Sequence, residues 1–277
     1  MKIVKFNLLI FVIFCVGCSS SDTLDEAPHS QRYQKAEYIY RTHDSSLFSV
    51  TSPKQTPSPS YPWKNTNSCQ SKITKEYFRC KGTSLNPCHV ITQKNEIQRY
   101  YDCGGIEKHS LPLRNGKEFI YPILIDLINY VQERTGKRAV ITSGHRCPEH
   151  NTYVDPSPSN QYSKHMIGAE VSFYMQGMEN DPNTVVEHIK TFYKITPQYT
   201  GQKEYQEFQR YSKETNTAIQ PWLNKEIFIK VFSAQEGRNF DNRHPYPYIS
   251  IQVRYDKDLK ENVSYSWEKA NRNYLRR

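Results

Sequence analysis

Ser143-Gly144-His145-Arg146-Cys147-Pro148-Glu149-His150-Asn151, followed by Ser163-Lys164-His165-Met166-Ile167-Gly168-Ala169-Glu170-Val171-Ser172, is the stretch on which the fold of this chain turns. The first block continues from Ala139-Val140-Ile141-Thr142-Ser143, a short apolar run with the length and β-branched content of a buried strand. The second block runs into another strand, Gly168 to Tyr174. The Pro- and Ser-rich residues between Asn151 and Ser163 read as a loop that would rim any cleft between the two.

Working outward, Phe119, Ile120, Ile123, Leu124, Leu127, Ile128 and Val131 recur at three- and four-residue spacing, which gives a helix one apolar face. Asn115 and Glu118 make a capping-box-like start, Pro122 is tolerated in the first turn, and Gly136 is the stop. Asp181-Pro182 caps a second helix through Val185, Val186, Ile189 and Phe192. Ile227–Phe232 and Tyr248–Tyr255 are strand-like. In the latter, Ile249, Ile251 and Val253 share one face, and Ser250, Gln252 and Arg254 the other. Helices and strands mix without regular βαβ alternation. The expectation is an α+β fold with a small, largely antiparallel sheet and flanking helices.

The chain has 277 residues, enough for one large domain or two small ones. With 36% hydrophobic and 23% charged residues, a wholly disordered chain is excluded. Neither a three-residue glycine period nor a string of ten-residue alternating segments is present, which removes collagen-like and porin-like readings. Lys and Arg number 37 against 28 acids, a formal +9 spread along the chain. That balance suits an anionic envelope surface and gives no reason to expect nucleic acid as a partner. The 21 tyrosines favour aromatic-rich surfaces or clefts.

Residues 1–17 carry Lys2 and Lys5, then the apolar run Leu8–Val16, then Val16-Gly17 before Cys18 and a serine run. The run is too short to span a bilayer and reads as a secretory signal. Its end resembles the lipobox of bacterial lipoproteins, with Cys15 where leucine is usual. That resemblance implies lipidation (palmitate among the acyl chains) of Cys18, and a membrane anchor on the exported side of the cell envelope. An ordinary cleaved signal is the alternative. Cleavage removes two lysines and lowers the formal charge from +9 to +7. Residues 18–62, rich in Ser, Pro, Gln and Thr, read as a flexible tether, and 63–113 as a cysteine-rich subdomain. Cys69, Cys80, Cys88, Cys103 and Cys147 remain in the body. In an exported chain they favour disulfides, at most two, with one thiol left over. A zinc knot is the rival, and the Cys-x-x-Cys pair that would announce it is missing.

On the quoted blocks, the region 114–277 resembles the zinc D-Ala-D-Ala carboxypeptidase and hedgehog-like metallopeptidase superfamily. The carriers are the Ser-x-x-Arg turn at Ser143–Arg146, Pro148-x-x-Asn151, and Ser163-x-His165-x-x-Gly168. The resemblance, which covers roughly 118–256, implies a sheet-borne cleft. It also implies His165 as first zinc ligand and Arg146 as the cation facing a substrate carboxylate or oxyanion, with Ser163 beside it. Two departures follow: the expected aspartate ligand is Ser172, and the expected last histidine aligns with Ser250, with Gln252 in place of the acid two residues on. Serine is a poor zinc ligand, so no resident cofactor is expected. Zinc returns only if His165, Glu170 and His244 make a substituted site.

Plainer readings stand beside these. Arg146 caps a strand end, His165 is a hydrogen-bonded cleft histidine, Glu170 is a paired surface carboxylate, and Ser163 and Asn151 are turn residues. His145 and His150 join a polar cluster around Arg146. Cys147 is buried or bridged rather than a nucleophile, and Tyr246-Pro247-Tyr248 is packing. Three functions remain. One is a catalytically degenerate peptidase-like lipoprotein binding peptidoglycan stem peptide or another envelope ligand. Another is an active zinc D,D-carboxypeptidase or endopeptidase with non-standard ligands. The third is a structural or partner-binding envelope lipoprotein working through 63–113.

Overall fold

The computed structural model describes residues 71–93 and 96–276. The expected signal at 1–17, the expected lipidation site Cys18, the expected tether at 18–62 and Cys69 lie outside the described residues.

In chain order the elements are a hairpin of β1 (His89–Gln93) and β2 (Glu96–Tyr100), and a second of β3 (Leu113–Arg114) and β4 (Lys117–Glu118). Then come helix α1 (Pro122–Thr135), β5 (Ala139–Ser143), α2 (Pro148–Val154), β6 (Glu170–Met175) and α3 (Pro182–Ile195). The short α4 (Lys203–Gln206), β7 (Gln209–Arg210), β8 (Trp222–Leu223), β9 (Ile227–Phe232) and β10 (Tyr248–Val253) follow. Last are β11 (Tyr255–Asp256), β12 (Glu261–Asn262) and α5 (Trp267–Asn271). Six strands form one antiparallel sheet in the order β5-β6-β10-β9-β8-β7. The α+β expectation and the antiparallel sheet hold at this level.

Alternation places Val171, Phe173, Ile249, Ile251, Val253, Ile227, Ile229 and Val231 on one sheet face, where all are buried. Helices α1 and α3 cover that face with Leu124, Leu127, Ile128, Val131, Val185, Val186 and Ile189. Asp181 accepts from the Thr184 N–H at 3.2 Å and caps α3. Gly136 closes α1 at φ 64°, a left-handed position that suits glycine.

The start of α1 differs from expectation. Asn115-Gly116, both at positive φ, form the two-residue turn of the β3–β4 hairpin, and Glu118 pairs with Arg79 at 2.8 Å. The helix begins at Pro122 with Tyr121 before it. Phe119 and Ile120 precede the helix, although Ile120 still enters the core.

The described part of 63–113 is built into the same compact unit as the sheet. Ile73, Tyr77, Phe78 and Leu111 belong to the main core, and the C-terminal tail runs beside 109–113. Ser110 N–H donates to Leu275 O at 2.9 Å and Leu113 N–H to Asn273 O at 2.7 Å. The expected disulfides do not form among Cys80, Cys88, Cys103 and Cys147, which are unbridged.

Candidate functional cleft

The sheet face opposite the helices carries Glu170, Ser172, Lys230, Tyr248, Ser250 and Gln252, which line a cleft of about 540 Å³. Register fixes this set: Ser172 pairs Ser250 and Ser250 pairs Lys230, while Glu170 pairs Gln252. Arg146 enters from the turn after β5. Asp155, Asn160, Tyr162 and Ser163 close one side, so the 151–163 segment rims the cleft as its sequence suggested. Asn151 and Asn160 hold that rim by reciprocal amide-to-carbonyl bonds of 2.8 and 2.9 Å.

Arg146 is buried, and its Nε donates to Ser143 Oγ at 2.7 Å and Asp241 Oδ2 at 2.9 Å. Among the described residues nothing accepts from its Nη atoms, and the side chain lines the cleft. Behind it, Asp241 Oδ1 receives His150 Nε2–H at 3.0 Å, and His150 Nδ1–H donates to Asp102 Oδ1 at 2.6 Å. Burial lowers the basicity of His150, but the bonds to Asp102 and Asp241 outweigh it and push its pKa up to about 9. Burial pushes the Asp241 carboxyl up, yet Arg146 and His150 hold it below the usual range. Cation and anion thus alternate from Arg146 to Asp102, and the arginine is fixed as a rigid head at the cleft wall.

His165 Nδ1–H donates to Gly144 O at 2.6 Å; a carbonyl only accepts, which fixes the tautomer and leaves a lone pair on Nε2. That lone pair faces Glu170 Oε1 at 3.7 Å and Ser172 Oγ at 3.5 Å, too long for a primed Ser–His pair. Burial lowers the His165 pKa to about 4, so the ring is neutral near pH 7. Glu170 Oε1 accepts from Ser250 Oγ at 2.7 Å and Gln252 Nε2 at 2.9 Å. Burial raises that carboxyl, and His165, Gln252 and Ser250 together bring it below its ordinary value.

Set against known proteins, the chain matches no protein-family model, no curated protein and no solved structure.

Of the sequence-derived residues, Arg146, Ser163, His165, Glu170, Ser172 and Ser250 converge on the cleft. His244 does not join His165 and Glu170. Its ring packs 4.9 Å from Tyr174 and 5.7 Å from Tyr248, and no metal-capable trio forms from the three. Ser163 Oγ accepts from the His165 N–H at 3.2 Å, the turn role foreseen for it. His145 packs against His109 and Tyr274 and makes no side-chain hydrogen bond among the described residues, leaving His150 to make the polar cluster. Tyr248 stacks on Phe232 at 4.6 Å, which is packing. Asp241 and Asp102 were missed, because an aspartate 95 residues from its arginine leaves no local signal. Away from the cleft, Cys80, Cys103, His109 and Cys147 form a buried group able to hold a metal ion; Asp102, Cys103 and His150 make a second, overlapping group.

Proposed function

We propose that this chain is a cell-envelope lipoprotein whose peptidase-like cleft holds, without cutting, the carboxylate end of an envelope peptide, peptidoglycan stem peptide being the natural candidate. The observation carrying this reading is Arg146: Nε is fixed by Ser143 and Asp241 while no described residue accepts from its Nη atoms at the cleft wall. A planar fork held in this way suits a carboxylate bidentately. Lys164, Lys230 and Arg238 also line the cleft, against Asp155 and Glu170, which favours an anionic ligand. Cutting is disfavoured by the donor set. Ser172 and Ser250 stand where the resemblance places ligands, and Ser250 is already committed to Glu170.

One observation favours the active-peptidase reading. His165 Nε2 and Glu170 Oε1, both acceptors, lie 3.7 Å apart, a spacing that a shared cation would satisfy. The third donor it needs, His244, sits over Tyr174.

The test is binding of a D-Ala-D-Ala-terminated stem peptide to the full chain in detergent, with mass spectrometry of the peptide afterwards. Intact peptide and binding at least tenfold weaker in Arg146→Ala are expected, with Arg146→Lys recovering only part. Release of D-alanine that is lost in His165→Ala would install the peptidase reading instead. Binding untouched by Arg146→Ala would remove the carboxylate role. Lipidation is checked on the same material as a mass loss in Cys18→Ser.

A further inference from the structure

Cys80, Cys103, His109 and Cys147 come from three separate stretches of chain, and all four are buried. Their three sulfurs and one ring nitrogen lie within 4.8 Å of one another. Cys80 Sγ and Cys103 Sγ are 3.9 Å apart. That is well beyond the ~2 Å of a disulfide and near the ~3.8 Å edge of a tetrahedron built on zinc–sulfur bonds of ~2.3 Å.

His109 supplies an independent sign. Its Nδ1–H faces the Ser110 carbonyl at 3.3 Å, which leaves the lone pair on Nε2. Nε2 is buried and makes no hydrogen bond of ordinary geometry among the described residues, while the ring interacts with Cys103, a member of the same group. A buried ring nitrogen without a well-formed hydrogen bond is unfavourable, and a cation at the centre of the group satisfies it.

We infer that Cys80, Cys103, His109 and Cys147 are the ligands of a Cys3His zinc site of the structural kind. Three thiolates and an imidazole select a borderline-soft ion of tetrahedral habit, and four protein donors leave no open position for water. The surroundings fit. The His150 backbone N–H points at Cys147 Sγ at 3.3 Å, an outer hydrogen bond that orients a thiolate. The Ser110 carbonyl does the same for the His109 ring. Tyr274, from the C-terminal tail, packs into the cluster and seals it. Gly82 passes so close that a Cβ there would strike Cys103 Sγ, so the backbone is drawn tightly around the group. Zinc displaces the three thiol protons to solvent, so its hold weakens as pH falls.

The site is separate from the cleft and does not depend on the peptide-holding reading, yet it braces the same machinery. Cys147 directly follows Arg146, and Cys103 directly follows Asp102. A metal joining them pins both ends of the chain of groups from Arg146 through Asp241 and His150 to Asp102.

The test is elemental analysis of the full chain extracted in detergent and stripped of loosely held metal, with X-ray absorption at the zinc edge. About one zinc per chain is expected, with three sulfurs near ~2.3 Å and one nitrogen near ~2.0 Å. Zinc should persist in Cys88→Ser and His165→Ala and fall at least tenfold in occupancy in Cys103→Ser and His109→Ala. If a ligand variant does not fold, the absorption spectrum of the unaltered protein decides alone. No zinc, a nitrogen- and oxygen-only shell, or a disulfide linking any two of Cys80, Cys103 and Cys147 would overturn the assignment. So would zinc that survives Cys103→Ser but leaves with His165→Ala.

Discussion

Gly144 sits at the centre of the Ser143–Arg146 turn, and its hydrogen is all the space permits. A methyl group there would lie 2.5 Å from Phe78 Cα and 2.6 Å from Phe78 O, backbone atoms that cannot swing aside. The His145 N–H also donates to Phe78 O at 2.6 Å, locking the two segments together. Gly144→Ala is therefore expected to lose about 2–3 kcal/mol in urea unfolding; a change below about 0.5 kcal/mol would contradict this contact. Glu226 is a different case. Burial raises its carboxyl pKa, and the hydrogen bond from Tyr199 Oη, 2.7 Å away, only partly offsets this. A carboxyl raised in the fold favours folding below its unfolded value, about 4.3, and that contribution disappears as pH rises through the folded value. Glu226→Gln keeps an acceptor for Tyr199 without the charge. It should be the more stable protein at pH 8, and the gap should close towards pH 5. A pH-independent gap would sink the assignment. At this scale the sequence was informative where chemistry is local. Ser143, Arg146, Ser163 and His165 stood in one readable pattern, whereas Asp241 and Asp102 matter only through distant partners.

Elements were legible in proportion to how far periodicity fixed them. Helix α3 and strands β5, β9 and β10 fall within a residue or two of their expected bounds, because buried faces with regular spacing leave one solution. The start of α1 was misread because Asn115 and Glu118 satisfy a capping pattern, while Asn115-Gly116 also satisfies the stronger demand of a tight hairpin turn. The β1–β2 hairpin went unread. Val90 and Ile97 are 57% and 60% exposed, and only His89 and Ile91 of β1 turn inward, half-buried, which is too weak an apolar face to detect. The α1–α3 layer rests on residues such as Leu127, which is 0% exposed. Leu127→Ala should cost about 3 kcal/mol, within the range for deleting a buried leucine. The cleft lies on the other sheet face, so peptide binding measured well below the new midpoint should be unchanged. Coupled loss of binding would show that the two faces are not mechanically separate.

At the level of the whole molecule, what composition left open was how residues 79–113 are held. This stretch contributes one exposed hairpin and few core side chains, yet it is tied to the sheet through Cys147 and to the C-terminal tail through Ser110 and Leu113. Cysteines spaced 23 and 44 residues apart name no pairing, and no Cys-x-x-Cys marks a metal. Only the folded backbone brings them to one point. If a metal is the tie, stripping zinc with a strong chelator under reducing conditions should free both ends at once. Trypsin should then cut at Lys81, Arg99 and Lys108 and at Arg272, while the sheet keeps its far-ultraviolet signature. A tie of about 2 kcal/mol should appear as a Tm lower by roughly 4–8 °C, since each kcal/mol moves Tm by about 2–4 °C in a domain of this size. Peptide binding should weaken with it, because Arg146 and Asp102 adjoin the released ligands, and re-adding zinc should restore both. A digestion pattern and Tm indifferent to chelation would mean that Leu111 in the core and the hydrogen bonds of Asp102 and Ser110 hold the segment without a metal.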